Sequence, residues 1–445
     1  MSELAEENQR LAVELDRRHV FHSWAAQAGR SPIVVAGGHG MRVWDFEGKQ
    51  YLDMSSQLVN ANVGYGHPRI IEAIRRQADA LATADPKHAV LARGRAAQLI
   101  AEKANLTGAG FEKVFFTNGG ADANENAMRL ARLYTGRDTV LSHYRSYHGN
   151  TGSAIVATGD SRRTQNQYAR GHVHFFGPYL YRSEFWATTP EEESSRALHH
   201  LERVIQSEGP ETIAAIIIES VPGTAGILVP PPGYVAGVRE LASRYGIVLI
   251  ADEVMAGFGR TGYWFAHQAE SVVPDLITFA KGVNSGYVPI GGVIISPEIA
   301  HHFDDRVFPG GLTYSGHPLG VASIVAAIEA MSDERIVENA ARIGTRAIGP
   351  AAEALKAKYP QHVGEVRGRG CFWAIELVED EETRAPLADE VMAGIRRALL
   401  DRGVLPFVQN NRIHVVPPLI ATERDIAEAF AQFDAVIGEF AARRA

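Results

Sequence analysis

The sequence predicts an α/β fold: a large domain with a mainly parallel sheet covered by helices, joined to a smaller α+β domain built from both ends of the chain. Two observations carry that expectation. From about residue 95 to residue 300, apolar runs of strand length alternate with helical patterns, which is how a helix-covered parallel sheet reads. On either side, short strand-like runs broken by turn residues suggest antiparallel pieces. At 445 residues the chain exceeds one ordinary core. The expected divisions are 1–75 for an N-terminal segment of the small domain, 76–325 for the large domain and 326–445 for the rest of the small one.

Taken in order, Met1 to Arg18 is charged and helix-like. Residues 32–60 read as a meander with strands at Ile33–Val35, Met41–Asp45 and Tyr51–Asp53. A helix is expected from about Arg69 to Leu81, with Ile70, Ile71 and Ile74 on its apolar face. In the large domain the strands are Val114–Phe116, Thr139–Ser142, Ile213–Glu219, Val248–Asp252, Leu276–Ala280 and Gly292–Ile295, and a helix through Ala127, Leu130 and Leu133 follows the first of them. A helix from about Leu319 to Met331 leads out. Strands Val363–Arg367 and Cys371–Leu377, a helix around Leu387–Arg402, a strand Ile413–Val416 and a final helix from about Thr422 complete the small domain. No internal repeat or low-complexity linker interrupts the chain.

Hydrophobic residues at 46% and charged residues at 22% are those of an ordinary globular protein, and a net charge of -8 gives no reason to expect nucleic acid or an anionic membrane as partner. No apolar run is long enough to span a bilayer and none resembles a signal peptide, so the expected location is cytoplasmic. The one cysteine, Cys371, excludes an intramolecular disulfide framework and reads as a small core residue beside Phe372 and Trp373. No metal is expected: there is no HExxH, and the pairs His199–His200 and His301–His302 lack ligand spacing.

Chemistry belongs at the carboxyl ends of the large-domain strands, where ligands of open α/β sheets bind. The apolar run Leu276–Ala280 ends in Lys281, followed by the small residues Gly282, Ser285 and Gly286. Of seven lysines it alone sits at the mouth of a buried strand. A lysine there can lose its proton readily and attack a carbonyl carbon, as a Schiff-base lysine must; alternatively it snorkels from the strand end. Strand Val114–Phe116 runs into Asn118-Gly119-Gly120-Ala121 and a helix, so that backbone N–H groups and the helix dipole can hold a phosphate. An ordinary strand-to-helix turn would read the same way. Asp252 and Glu219 place carboxylates at strand ends. A protonated ring nitrogen facing Asp252 would offset the cost of burial, whereas Glu219 can equally be a structural acceptor. Tyr147, before His148-Gly149, can stack on a flat ligand or belong to the core. Together a phosphate cradle, a carboxylate for a ring nitrogen, a stacking aromatic and a Schiff-base lysine describe pyridoxal 5'-phosphate.

The stretch from Val248 through Asp252-Glu253-Val254 and Gly257-Phe258-Gly259-Arg260-Thr261-Gly262 to Lys281-Gly282 resembles the cofactor signature of the class III (omega) pyridoxal-phosphate aminotransferases, and the likeness extends over nearly the whole chain. It implies fold-type I architecture. It also implies that Asp252 pairs with the pyridine nitrogen, that Val254 and Tyr147 cover the two ring faces and that Gly120 and Ala121 hold the phosphate, with His148, Glu219 and Lys281 completing the site. Thr313 matches a threonine that reaches the phosphate from the neighbouring subunit, so a homodimer with shared sites is expected.

Two positions depart from the family pattern. Ala121 replaces a serine, and arginines that bind carboxylates in relatives are missing at His414 and near Phe407. Arg412 lies two residues before His414, on the same face of a strand. It is either a substitute anchor for an acidic substrate group or a surface arginine. The segment around Val59 looks closest to taurine–pyruvate and related omega-amino acid enzymes. The expected reaction is ping-pong transfer, through a Schiff-base mechanism, of an amino group from an omega-amino acid or primary amine such as taurine or β-alanine to a keto acid such as pyruvate. An aminomutase on the same fold and a non-catalytic cofactor-binding protein are the alternatives.

Overall fold

The computed structural model describes residues 3–29, 32–167 and 169–444. Near the N-terminus, β1 (Gly37–His39), β2 (Arg42–Trp44) and β3 (Gln50–Asp53) form the expected meander. Ile33–Val35 is not a strand: these residues lie ahead of β1, and Val35 is exposed. Strand-forming residue types without a neighbouring ladder to pair with do not make a strand.

The large sheet has seven strands: β4 (Lys113–Thr117), β5 (Thr139–His143), β6 (His172–Phe175), β7 (Ile213–Glu219), β8 (Val248–Asp252), β9 (Leu276–Phe279) and β10 (Gly291–Ile295). Their spatial order is β4-β10-β9-β8-β7-β5-β6, parallel except for β10, which runs against both β4 and β9. Every residue of β7 and β8 is buried, because a strand covered by helices on both faces must be apolar throughout. Strand β6, with the sequence His-Val-His-Phe, was not expected; it is a short edge strand with little apolar signal. The parallel register brings Glu219 beside Asp252 and Asp252 beside Thr278, so the carboxyl ends of β7, β8 and β9 lie level.

The helix Gly120–Thr135 begins directly after β4 and packs Ala123, Ala127, Leu130 and Ala131 against the sheet. Leu133, expected on that face, is 40% exposed. The i+3 step from Leu130 carries it around the cylinder toward solvent.

The C-terminal part contributes β11 (Val363–Arg369), β12 (Phe372–Leu377), β13 (Val404–Leu405), β14 (Phe407–Gln409) and β15 (Arg412–Val415). Four of them form an antiparallel sheet ordered β11-β12-β15-β14, while β13 crosses to pair in parallel with β3. The two ends of the chain are therefore joined through a shared sheet. Helices Pro68–Ala80, Pro318–Asp333, Asp389–Asp401 and Glu423–Ala442 occupy the expected places, the last capped by Thr422, whose Oγ1 accepts from the Asp425 N–H. One apolar core runs from Leu52 and Ile70 through Phe279 and Ile324 to Phe433. Cys371 lies inside it, fully buried.

Candidate active site

Asp252 ends β8 with only 3% of its surface exposed. Its Oδ2 accepts from Asn124 Nδ2 at 2.8 Å and lies 2.8 Å from His148 Nδ1, and its Oδ1 accepts from the Val254 N–H at 3.0 Å. Asn124 is in turn fixed by Thr278, whose hydroxyl donates to Asn124 Oδ1 at 2.7 Å. The helix Gly120–Thr135 thus delivers Asn124, one turn beyond Gly120, onto the carboxylate. Neither Asn124 nor Thr278 was singled out from the sequence; an amide on the first turn of a helix that opens onto strand ends was the only available sign. The far nitrogen of the His148 ring, Nε2, is buried without a partner.

Glu219, at the end of β7, accepts the Tyr147 N–H at 3.0 Å on one oxygen and the Gly223 N–H at 2.8 Å on the other. Burial raises its pKa to about 7, helped by the neighbouring charge of Asp252 and opposed by His148 and the two N–H donors. Tyr147 is held by its backbone through Glu219. Its ring carries the Arg162 guanidinium over one face at 3.8 Å and meets the Trp24 ring edge-on at 6.3 Å. Arg162 is itself paired with Asp160.

Lys281 follows the end of β9 with φ of +44°. That left-handed conformation is uncommon for a residue with a β-carbon. The turn is closed by the Gly286 N–H bonding to the Lys281 carbonyl at 3.1 Å. Burial lowers the pKa of the amine, while Asp252 and Glu219 act in the opposite direction. An amine held in this way loses its proton more easily than a solvated lysine.

The first N–H groups of the helix Gly120–Thr135 have no intrahelical acceptor. Gly120 is needed where it stands: a β-carbon there would come within 2.7 Å of Val254 Cγ1. Ala121 packs against Gly149, where a β-carbon would meet the Ala121 methyl at 2.5 Å. Gly120, Ala121, Tyr147, His148, Glu219, Asp252, Val254 and Lys281 therefore converge on one corner of the sheet. Their chemistry fits pyridoxal phosphate: exposed N–H donors for its phosphate, a buried carboxylate for its ring nitrogen, an aromatic and a valine for its faces, and an amine for its aldehyde.

The remaining candidates are Val59, Arg412, His414 and Thr313. Val59 is 1% exposed and sits with φ of +59° in a small apolar cluster with Val221, Ile227 and Phe372. Arg412 and His414 lie on β15, opposite Glu376 and Ala374 of β12. Glu376 is claimed by others: it accepts from Arg182 at 2.8 Å, from Arg367 at 2.8 Å and from the Tyr179 hydroxyl at 2.6 Å. Burial alone would raise its pKa, but Arg367, Tyr179 and Arg182 outweigh it and bring the value to about 2. The side chain of Arg412, by contrast, makes no hydrogen bond or ion pair among the described residues, and its Nε is buried without a partner. It lies against the loop after β7, where a β-carbon on Gly226 would stand 3.0 Å from its Nη1. His414 is fully buried with both ring nitrogens unpartnered; burial, with Arg412 and Arg367 adding to it, holds its pKa well below the ordinary histidine range. Thr313 stands apart, exposed on the rim of a wide groove also lined by residues 85–91, and no hydrogen bond among the described residues links it to the Asp252 cluster.

The family model described as Aminotransferase class-III matches residues 24–437. Among curated proteins, the taurine–pyruvate aminotransferase of Bilophila wadsworthia is 34% identical, with 95% of this chain and 96% of the relative covered. The putrescine–pyruvate aminotransferase of Pseudomonas aeruginosa is 33% identical over 89% of this chain and 88% of its own length. Among solved structures, taurine:2-oxoglutarate aminotransferase from Bifidobacterium kashiwanohense, in complex with PLP and glutamate, superposes with a TM-score of 0.93 at 40% identity, covering 98% of both chains.

Proposed function

The chain belongs to the class III aminotransferases, fold-type I enzymes that use pyridoxal phosphate, and from that premise we propose that its amino donor is a primary amine carrying an acidic group, of the taurine or β-alanine kind, with pyruvate as acceptor. The relatives divide on the donor's far end, since their names include both a sulfonate and a diamine. The observation that supports an acidic donor is Arg412. In its cluster, Arg182 and Arg367 are matched by Glu376 and Glu365, which leaves Arg412 as the surplus positive charge. An unpaired, largely desolvated guanidinium favours an anion and repels a second ammonium. Neutral His414 behind it supplies one N–H and one acceptor.

Within the cofactor site, Asp252 would face the ring nitrogen and keep it protonated, held in place by Asn124 and His148. Tyr147 and Val254 would cover the ring faces, and the N–H groups at Gly120 and Ala121 would hold the phosphate, with no side-chain hydroxyl at Ala121. Bound pyridoxal phosphate supplies an aldehyde that takes up the amino group and a ring that delocalises negative charge from the substrate carbon. Lys281 Nζ, whose proton burial makes easier to lose, would carry the proton to and from that carbon as general base and acid. Val59 would shape the apolar wall of the donor site. Thr313, exposed on the groove that the highly exposed Leu91 also lines, would serve the site of a second copy, making the enzyme a homodimer with shared sites. A cytoplasmic location is part of the same proposal, and no described helix is long and apolar enough to cross a membrane.

The test is a donor panel with pyruvate, read as alanine formed. Taurine and β-alanine should outperform putrescine and simple alkylamines of equal length. Arg412→Ala should reduce kcat/KM for the acidic donors at least tenfold, about 1.4 kcal/mol, and leave simple amines within about twofold. An equal loss on both classes would remove Arg412 from substrate binding.

A further inference from the structure

Among the described residues Arg260 is the largest fully buried side chain, and no carboxylate pairs with it. Its guanidinium is spent on other groups. Nη2 donates to Asn62 Oδ1 at 2.7 Å and to Ser56 Oγ at 3.2 Å; Nη1 donates to the carbonyls of Cys371, at 3.1 Å, and of Pro417. Burial lowers its pKa to about 10, with Cys371 and Asp53 opposing, which still leaves it charged near neutrality. A buried cation held only by neutral acceptors is costly, so its position needs a reason.

The acceptors supply one. Ser56 and Asn62 bracket the segment that holds Val59, and in that segment Ser56, Gln57 and Val59 all have φ between +46° and +60°. Such a run of side-chain-bearing residues in the left-handed region persists only where surrounding contacts hold it. Ser56 Oγ donates onward to the Val416 carbonyl at 2.6 Å, and the Leu419 N–H donates to the Asn62 carbonyl at 2.7 Å. The segment 56–62 and the turn after β15 are thereby tied to each other and to one guanidinium. Asn62 also donates to the Phe258 carbonyl at 2.7 Å, and its amide fills the space beside Gly282, where a β-carbon would come within 2.3 Å of Nδ2. Gly282 is the residue after Lys281.

We propose that Arg260 is the positioning residue for donor selection: it fixes segment 56–62, which carries Val59, and the adjoining 416–419 turn, which follows the strand of Arg412 and His414, in register with the Lys281 turn. This rests on the aminotransferase reading of the Lys281 site. Arg260 touches neither donor nor cofactor; it acts through Ser56, Asn62 and the Pro417 carbonyl. Lysine in its place keeps the charge but cannot reach four acceptors from one planar fork.

The experiment uses the cofactor-loaded protein with Arg260→Lys, and with Ser56→Ala as a milder variant that folds independently of the buried charge. Hydrogen exchange should speed up at least tenfold in peptides covering 54–63 and 414–420 while strands β7, β8 and β9 keep wild-type protection. The preference for taurine over a simple amine of equal length should fall about tenfold in Arg260→Lys and by a smaller factor in Ser56→Ala, through KM more than kcat. Unchanged exchange in both segments, a uniform rise across the whole protein, or an unchanged donor preference in a folded variant would overturn the proposal. Should Arg260→Lys not fold, Ser56→Ala alone decides by the same readings. Absence of amino transfer with every donor in the wild-type protein would instead strike the underlying functional reading.

Discussion

Lys281 and Asp252 face each other across neighbouring strands, and their roles separate by environment. Burial pushes the lysine toward its neutral form, the form that attacks a carbonyl. Asp252 is saturated with donors from Asn124, His148 and Val254, which fix its oxygens. Asp252→Asn should therefore lower kcat on the order of 10²- to 10³-fold, a typical cost for one preorganised electrostatic contact, while donor KM changes little; steady-state kinetics with a saturating acceptor would show it. Both residues were legible in the sequence because each ends an apolar run that has no other reason to carry charge. Arg260 was visible only as part of a signature. The role proposed for it depends on Ser56, Asn62, Cys371 and Pro417 meeting at one point, and no local pattern encodes contacts between residues 111 to 204 positions apart.

At the scale of elements, the helix Gly120–Thr135 does two jobs. Its N-terminus presents N–H groups toward the corner of the sheet, and its first turn places Asn124 on Asp252. Gly120→Ala should loosen the cofactor, because the new methyl meets Val254 Cγ1 and a β-branched neighbour has few rotamers to retreat into. A rise of about tenfold in cofactor Kd, measured by titrating the cofactor-free protein, is expected. The strands β5 and β7 to β10 were readable from sequence because burial on both faces makes them largely apolar, and the edge strand β4, exposed at Lys113, was readable from its Val-Phe-Phe run. Strand β6 and the two- and three-residue strands β13 and β14 were not, since their pairing is set by neighbours brought in from elsewhere in the chain. Ile33–Val35 failed in the opposite sense, having strand composition without a ladder.

For the whole molecule, titration of buried groups sets an acid limit on stability. Burial is the leading cause of low pKa values at His143, His172, His174, His200, His267 and His414, whereas it raises the carboxyls of Asp53, Glu270 and Glu365 and brings those of two glutamates, Glu219 and Glu253, to about 7. The histidines contribute stability that is present above pH 6.5 and lost as pH falls, because the unfolded chain takes up protons the fold refuses. The two glutamates act oppositely, losing stability as pH rises from about 4.5 through 7. Each proton difference is worth about 1.4 kcal/mol per pH unit; Asp53, Glu270 and Glu365 add to the side of the glutamates, and six histidines against five carboxyls leaves the histidines ahead. The thermal midpoint of the cofactor-free protein should fall between pH 6.5 and pH 4.5, and a flat or rising midpoint there would refute the balance.

On the proposed reading, Lys281 is the centre of an amino transfer and Arg412 the selector of its donor. The direct measurement is alanine formed from pyruvate by the cofactor-loaded protein with taurine as the only amine. The account predicts steady alanine release, matched by loss of taurine's amino group, in the wild-type protein and none in Lys281→Ala. No alanine from the wild-type protein with any amine, or undiminished release from Lys281→Ala, would contradict it.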